Sequence, residues 1–123
     1  MHRRHLLLAA SAAALASAAG NVHAQSADAP LRIVVPYAAG GSSDRAARLV
    51  ADRLGPRLGQ TVLVENRTGA GGRLAAQQLK SAGANQNVLL LANPAIMVVA
   101  PLVVKDAGYD PDQDVQPVSH VTD

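Results

Sequence analysis

The sequence predicts an α/β fold with a mainly parallel sheet, and three observations support that prediction. Runs rich in Val, Ile and Leu at 31–35, 61–64 and 88–92 alternate with helical apolar patterns at 44–54 and 73–81. A turn that contains glycine or proline follows each run. The spacing leaves room for a helix between successive strands, and such crossovers join parallel neighbours in one sheet.

The first predicted strand leads into the turn that carries the main functional prediction. Pro36 ends the strand because it cannot donate a ladder hydrogen bond, while Gly40 and Gly41 permit positive φ angles and close approach of a ligand. Residue types that favour N-cap positions follow: Ser42, Ser43 and Asp44. The sequence therefore predicts unpaired N–H groups at the positive end of a helix, which suits carboxylate or phosphate oxygens. The same turn is also a common connection in α/β proteins, and it lacks the lysine of a P-loop.

The two later turns are predicted to lie beside the first. The first helix should end or kink at the Gly-Pro pair of 55–56, with Gly59 completing the stop. The strand at 61–64 is apolar enough to be buried on both faces. The second turn spans 65–72 and the third spans 92–94, while 117–121 predicts a fourth strand. Because all three turns follow parallel strands, they share the carboxyl edge, where open α/β sheets bind ligands.

The first 24 residues are predicted to be a secretory signal peptide that is removed near Ala24. The Arg-Arg pair at 3–4 forms a basic start, residues 6–19 an apolar segment, and 22–24 a cleavage motif. The arginine pair also permits twin-arginine export. Residues 25–30 are small and polar, and they predict a disordered lead-in. The chain is therefore expected outside the cytoplasm.

Charge and composition narrow the classes of function. The leader holds two of the 11 Lys and Arg residues and none of the nine Asp and Glu residues, so the remainder carries nine of each and no net formal charge. That balance gives no support to nucleic-acid binding. The sequence has no cysteine, and His120 is the only histidine beyond the leader, so no metal site or catalytic pair is indicated. We expect a binding protein rather than an enzyme, with no cofactor, no metal and no nucleic-acid partner.

Three segments in order carry a family resemblance. Residues 30–54 read PLRIVVPYAAGGSSDRAARLVADRL, residues 59–72 read GQTVLVENRTGAGG, and residues 109–121 read YDPDQDVQPVSHV. Together they resemble the Bug family, the periplasmic solute receptors of tripartite tricarboxylate transporters. The resemblance implies a lobe of a two-lobed, Venus-flytrap fold of the type II-like periplasmic-binding-protein class. It also implies a periplasmic location, a small carboxylate as solute, and delivery of that solute to membrane permease subunits.

The resemblance also implies which residues form the site. Matched position by position, the ligand-binding residues are Tyr37, Ala38, Gly40, Gly41, Ser42, Asp44 and Asn93. The residues that shape the second loop are Asn66, Gly69 and Gly71. At Asp44 we expect an N-cap role at the helix start. Asn93 stands where the family usually has a small hydroxyl residue, and its amide can still donate to a carboxylate.

The resemblance covers only the first part of a family-length receptor, so residues 31–123 are expected to form an incomplete lobe of a truncated receptor. Two alternatives stay open. The first is an incomplete domain that binds nothing. The second is a Rossmann-like nucleotide-binding fragment, because Gly69-Ala70-Gly71 matches the first two glycines of G-x-G-x-x-G, although Leu74 stands at the third.

Overall fold

Three short parallel strands form the sheet around which the chain is arranged. The computed structural model describes residues 29–84 and 86–121. The strands are β1 (Leu31–Val35), β2 (Val62–Asn66) and β3 (Val88–Leu90), in the order β2-β1-β3. The register places Ile33 of β1 opposite Val64 on one side and opposite Leu89 on the other. The predicted α/β fold with a parallel sheet is confirmed.

The helices follow the strands in alternation and then continue beyond β3. They are α1 (Ser42–Leu58), α2 (Arg73–Ala82), α3 (Ala100–Val103) and α4 (Pro111–Asp114). A 3-10 turn at Ala70–Gly72 precedes α2, and a π-helical turn at Ala95–Val99 runs directly into α3. In the part of the chain that the structure describes, no helix is both long enough and apolar enough to cross a bilayer.

Each face of the sheet packs against a different cluster. Successive residues of a strand point to opposite faces. On one face Ile33 and Val35 pack against Ala47 and Ala51 of α1. Burial of the two larger side chains contributes about 1.5–3 kcal/mol each. On the other face Leu90 packs against a cluster that comprises Ala76, Ile96, Ala107 and Tyr109. The core therefore fixes β1 as the central strand and leaves its carboxyl end at an open edge.

Three local predictions were wrong, each for a physical reason. The helix does not end at 55–56, because Pro56 lies within the exposed last turn of α1, where one lost hydrogen bond is tolerated. The stop predicted at Gly59 is confirmed, since Gly59 ends the helix in the left-handed region. The strand β2 is not buried on both faces, since it is an edge strand whose Leu63 is 47% exposed. Residues 117–121 form no strand, because they pair with neither of the two outer strands of the described sheet.

The predicted leader and part of the lead-in lie outside the described residues. This applies to 1–24 and to 25–28. Within the described part, the carbonyl oxygen of Ala29 accepts hydrogen bonds from the side chains of Gln60, at 2.7 Å, and Asn87, at 3.1 Å. These contacts attach Ala29, two residues before β1, to the amino edge of the sheet.

Candidate functional site

The turns after the three strands meet at the carboxyl edge, as their positions in the sequence predict. Asn66 at the end of β2 donates from Nδ2 to the carbonyl oxygen of Tyr37, at 3.0 Å. The second turn packs at Gly72 against the first turn and against the Ala95–Val99 turn that follows the third, since an added Cβ there would lie 3.1 Å from Pro36 Cβ and 2.7 Å from Ile96 Cδ1. The edge is therefore a set of three turns in direct contact.

The first turn presents backbone donors to solvent. Gly41 is the N-cap of α1 with extended backbone angles, and Gly40 before it has φ +85°. Residues 40–42 are exposed. Among the described residues, the structure records no acceptor for the N–H groups of Gly41 and Ser42. The 17 residues of α1 place the positive end of the helix dipole at these groups, so an anion is favoured there.

Asp44 holds this turn in place from behind. The residue is buried, with 3% of its surface exposed, and it lies at the third helical position, so the N-cap role predicted for it was wrong. Oδ2 accepts the Gly40 N–H and Arg48 Nε, both at 2.9 Å. Oδ1 accepts Asn66 Nδ2 at 3.0 Å and Arg48 Nη2 at 3.1 Å. Four donors therefore occupy the carboxylate.

The charge of Asp44 is balanced within the protein. The Arg48 guanidinium, followed by the Gly40 N–H and the Asn66 amide, holds the pKa of Asp44 well below its usual range. The same contact raises the pKa of Arg48. Because the two opposite charges are paired, the carboxylate presents little net repulsion to an anion at the neighbouring N–H groups.

The second turn is built from left-handed backbone. Gly69, Gly71 and Gly72 have φ values of +129°, +66° and +91°, and Ala70 between them has φ +49°. The Gly72 N–H donates to the Gly69 carbonyl at 2.9 Å, which closes the turn. Gly69 and Gly71 are exposed and Gly72 is buried, so the last glycine carries the packing contact with Ile96 of the Ala95–Val99 turn.

The third turn connects to the first through Asn93. Its Nδ2 donates to the hydroxyl of Tyr37, and its Oδ1 accepts the Ile96 N–H at 3.1 Å. Tyr37 and Asn93 are both half-buried, whereas Ala38 is exposed. The structure thus brings the predicted residues of the first and third turns into one hydrogen-bonded edge.

Two residues of this edge were missed from sequence. Asp44 and Asp52 both lie four positions from Arg48, and the structure pairs Arg48 with Asp44. Gly72 was read only as part of a turn, and no local signal separates it from Gly71. The four-residue spacing of Asp44 and Arg48 was available in the sequence, while the packing of Gly72 depends on Ile96, which is distant along the chain.

Neither a metal-binding cluster nor the main groove of the described chain contributes residues to this edge. Among residues 29–84 and 86–121, no group of three or more His, Cys, Asp or Glu residues is placed to hold a metal ion. A groove of about 510 Å³ lies between the Ala95–Val99 turn with α3 and the loop that leads to α4. It is lined by residues 97–112 and contains none of the predicted site residues.

Comparison with known proteins identifies a family. The family model described as tripartite tricarboxylate transporter family receptor matches residues 46–123. A UPF0065 protein of Bordetella bronchiseptica is 48% identical over 92 residues, which make up 75% of this chain and 28% of that relative. The chain therefore spans less than a third of the length of this relative.

Solved structures of periplasmic binding proteins share the fold over the same region. MatC of Rhodopseudomonas palustris, solved with bound malate, has a TM-score of 0.70 and 34% identity, over 75% of this chain and 31% of that chain. An R. palustris protein solved with adipate has a TM-score of 0.63 and 35% identity, over 68% and 28%. The periplasmic binding protein BugD has a TM-score of 0.63 and 41% identity, over 67% and 27%.

The family model covers well over half of the chain, and the structural matches agree in fold and in extent. The members of this family are binding proteins, so the expectation of a non-enzymatic role is confirmed. The family match also replaces the alternative of a Rossmann-like nucleotide-binding fragment. The chain therefore belongs to the tripartite tricarboxylate transporter receptors, the TctC or Bug family of periplasmic binding proteins.

Proposed function

We propose that this chain binds a small carboxylate solute in the periplasm, for delivery to the membrane permease subunits of a tripartite tricarboxylate transporter. The observation that carries the proposal is the exposed start of α1. There the N–H groups of Gly41 and Ser42 lie at the positive end of the helix, without an acceptor among the described residues. A carboxylate oxygen supplies the acceptor that they lack.

The class of solute is supported by two relatives. MatC was solved with malate and the second R. palustris protein with adipate. These two dicarboxylates differ in chain length, and what they share is a terminal carboxylate. That shared group is the one the first turn is suited to bind, so we assign this turn to one carboxylate of the solute.

The site residues divide into contacts and supports in this proposal. Gly41 and Ser42 donate backbone N–H groups, and the exposed Ala38 borders them. The Gly40 N–H is bonded to Asp44, so Gly40 and Asp44 shape the turn instead of donating to the solute. Asn66 supports the same turn through Asp44 and the Tyr37 carbonyl oxygen. Tyr37 of the first turn and Asn93 of the third turn border the solute, and Gly69 and Gly71 shape the second turn.

Calorimetry of the purified chain with malate and with adipate tests the proposal. Gly41→Val adds two methyl groups next to the donors, at a residue whose φ of −71° valine can adopt. An added Cβ there would lie 3.4 Å from the Ala38 carbonyl oxygen, an ordinary contact. We expect this variant to lose carboxylate binding and to keep the fold.

Ala39→Val is the matched control, because Ala39 is an exposed residue of the same turn outside the proposed contacts. It should retain the affinity of the parent chain. The assignment of the turn fails if Gly41→Val binds as the parent does. The proposed function fails if the parent chain binds neither malate nor adipate.

Export is a second part of the proposal. We place the signal peptide at residues 1–24, with cleavage after Ala24, so that Gln25 becomes the first residue of the periplasmic protein. Expression in a Gram-negative host, osmotic-shock fractionation and intact-mass measurement test it. A periplasmic species that begins at Gln25 is expected, and an uncleaved chain in the cytoplasmic fraction would contradict it.

A further inference from the structure

Two tyrosine hydroxyls are linked to the Ile96 backbone, one directly and one through Asn93, and they form different kinds of hydrogen bond. The hydroxyl of Tyr109 donates to the Ile96 carbonyl oxygen inside the second core cluster. The hydroxyl of Tyr37 lies at the carboxyl edge and accepts from Asn93 Nδ2. The Ile96 N–H in turn donates to Asn93 Oδ1 at 3.1 Å. The Tyr109 hydroxyl therefore donates a hydrogen bond inside the protein, whereas the Tyr37 hydroxyl accepts one from Asn93.

The chemistry of Ile96 fixes the orientation of the Asn93 amide. A backbone N–H can only donate, so the end of the side chain that faces it must be the oxygen. The nitrogen then faces Tyr37, and an amide nitrogen can only donate. The hydroxyl of Tyr37 must therefore be the acceptor in this contact. Its own proton points in another direction.

That proton has no acceptor recorded anywhere in the part of the chain that the structure describes. Tyr37 is half-buried, at the same edge as the exposed donors of the first turn. A hydroxyl that already accepts from an amide offers an approaching group mainly a donor. An ionised carboxylate, which only accepts, matches it.

We infer that Tyr37 is a side-chain donor to the carboxylate of the solute, and that Asn93 is the positioning residue that directs its hydroxyl proton outward. The inference rests on the proposed carboxylate-binding function and adds two side chains to its backbone donors. Asn93 acts through Tyr37 and through the start of the Ala95–Val99 turn.

Tyr37→Phe tests the donor directly. It removes the hydroxyl and keeps the ring, and a hydrogen bond to a charged group is worth enough to weaken malate or adipate binding about 10- to 100-fold. Tyr109→Phe is the matched control, because it removes the hydroxyl on the opposite side of Ile96 within the core. The control should lower the melting temperature and leave the affinity unchanged.

Asn93→Asp tests the positioning role. The new side chain keeps an oxygen for the Ile96 N–H and replaces the donor that faces Tyr37 with an acceptor. The Tyr37 hydroxyl then donates to the introduced carboxylate, and its proton is withdrawn from the solute. The affinity should fall, and the loss should shrink when Asn93→Asp is made in the Tyr37→Phe background.

The double-variant comparison separates this mechanism from simple charge repulsion. Repulsion by the introduced carboxylate would weaken binding equally in both backgrounds, whereas loss of an oriented hydroxyl requires that hydroxyl to be present. Additive losses overturn the role of Asn93, and parent-like binding by Tyr37→Phe overturns the whole inference. If the unaltered chain binds neither malate nor adipate, the proposed function fails first and this inference fails with it.

Discussion

Gly40 in the first turn and Gly72 in the second both have a positive φ angle, but their surroundings are opposite. Gly40 is exposed, and an added Cβ would meet no atom within 4 Å. Gly72 is buried, and an added Cβ would lie 2.7 Å from Ile96 Cδ1. Gly40 therefore has open space above its backbone, whereas Gly72 is enclosed by neighbouring side chains.

The two turns are also held by different forces. Polar contacts fix the first turn from behind, through the Asp44 carboxylate with Gly40, Arg48 and Asn66. Apolar contact fixes the second, where Gly72 allows the Ile96 side chain to approach the backbone. A turn that is held from behind keeps its front surface open for a solute. This difference supports the proposal that the first turn binds the solute, and it makes Gly72 of the second turn a packing position.

Gly72→Ala should have the largest effect on stability. The new methyl group would overlap Ile96, and alanine is strained at a φ of +91°. Overpacking and backbone strain together should cost about 2–5 kcal/mol. Urea or thermal unfolding of the purified chain measures the loss.

Gly71→Ala is the control for the Ile96 overlap. Gly71 has a positive φ of +66° and open space around an added Cβ, so its substitution carries the strain without the overlap. It should cost about 1–2 kcal/mol. Equal losses for the two variants would show that Gly72 is not a packing position.

Asp44→Asn should come next, because it weakens the polar support of the first turn. Its effect is best seen against pH. The pKa of Asp44 is lowered in the folded protein, so its carboxylate stabilises the fold above the unfolded pKa of about 3.9, and that contribution is lost as the pH falls below it. The parent should therefore lose stability more steeply than Asp44→Asn between about pH 4 and pH 2.

Melting temperatures of both proteins across this pH range check the prediction. Asp112→Asn is the control, since Asp112 is exposed and forms no ion pair in the described part of the chain. It should follow the parent curve. Parallel curves for the parent and Asp44→Asn would mean that the Asp44 contacts do not stabilise the fold.

The placement of the three turns could be predicted from sequence, because it needs only local information. Each turn follows a short apolar run, and parallel order brings the ends of such runs to one edge. The contact between Asn66 and Asp44 could not be predicted in this way, since the two residues are 22 positions apart and meet only through the register of β1 and β2.

Predictions that depended on neighbours were the ones that failed. The run at 61–64 is apolar, but its burial depends on whether another strand lies beyond β2, and within the described sheet β2 is at the edge. The run at 117–121 has strand-like residues and finds no pairing partner there. The identity of Gly72 as a packing position depends on Ile96 in the same way. Sequence patterns report the preference of a segment, and contacts made far along the chain decide its environment.

Of the three substitutions Gly72→Ala, Asp44→Asn and Gly40→Ala, the last should have the smallest effect on stability. Its φ of +85° strains alanine, but the absence of any atom within 4 Å of the added Cβ leaves no overlap to relieve. The cost should be about 1–2 kcal/mol. Gly59→Ala is the matched control, because Gly59 has φ +61° and equally open surroundings at the far end of α1.

The two substitutions should lower stability alike and differ in binding. Gly40 donates a hydrogen bond to Asp44 and Gly59 does not. Of the two substitutions, only Gly40→Ala can therefore shift the Gly41 and Ser42 donors and weaken the binding of malate or adipate. Unfolding and calorimetry on the same samples separate the two effects. A loss of stability at Gly40 as large as that at Gly72 would remove the distinction between the turns, because both would then be packing positions.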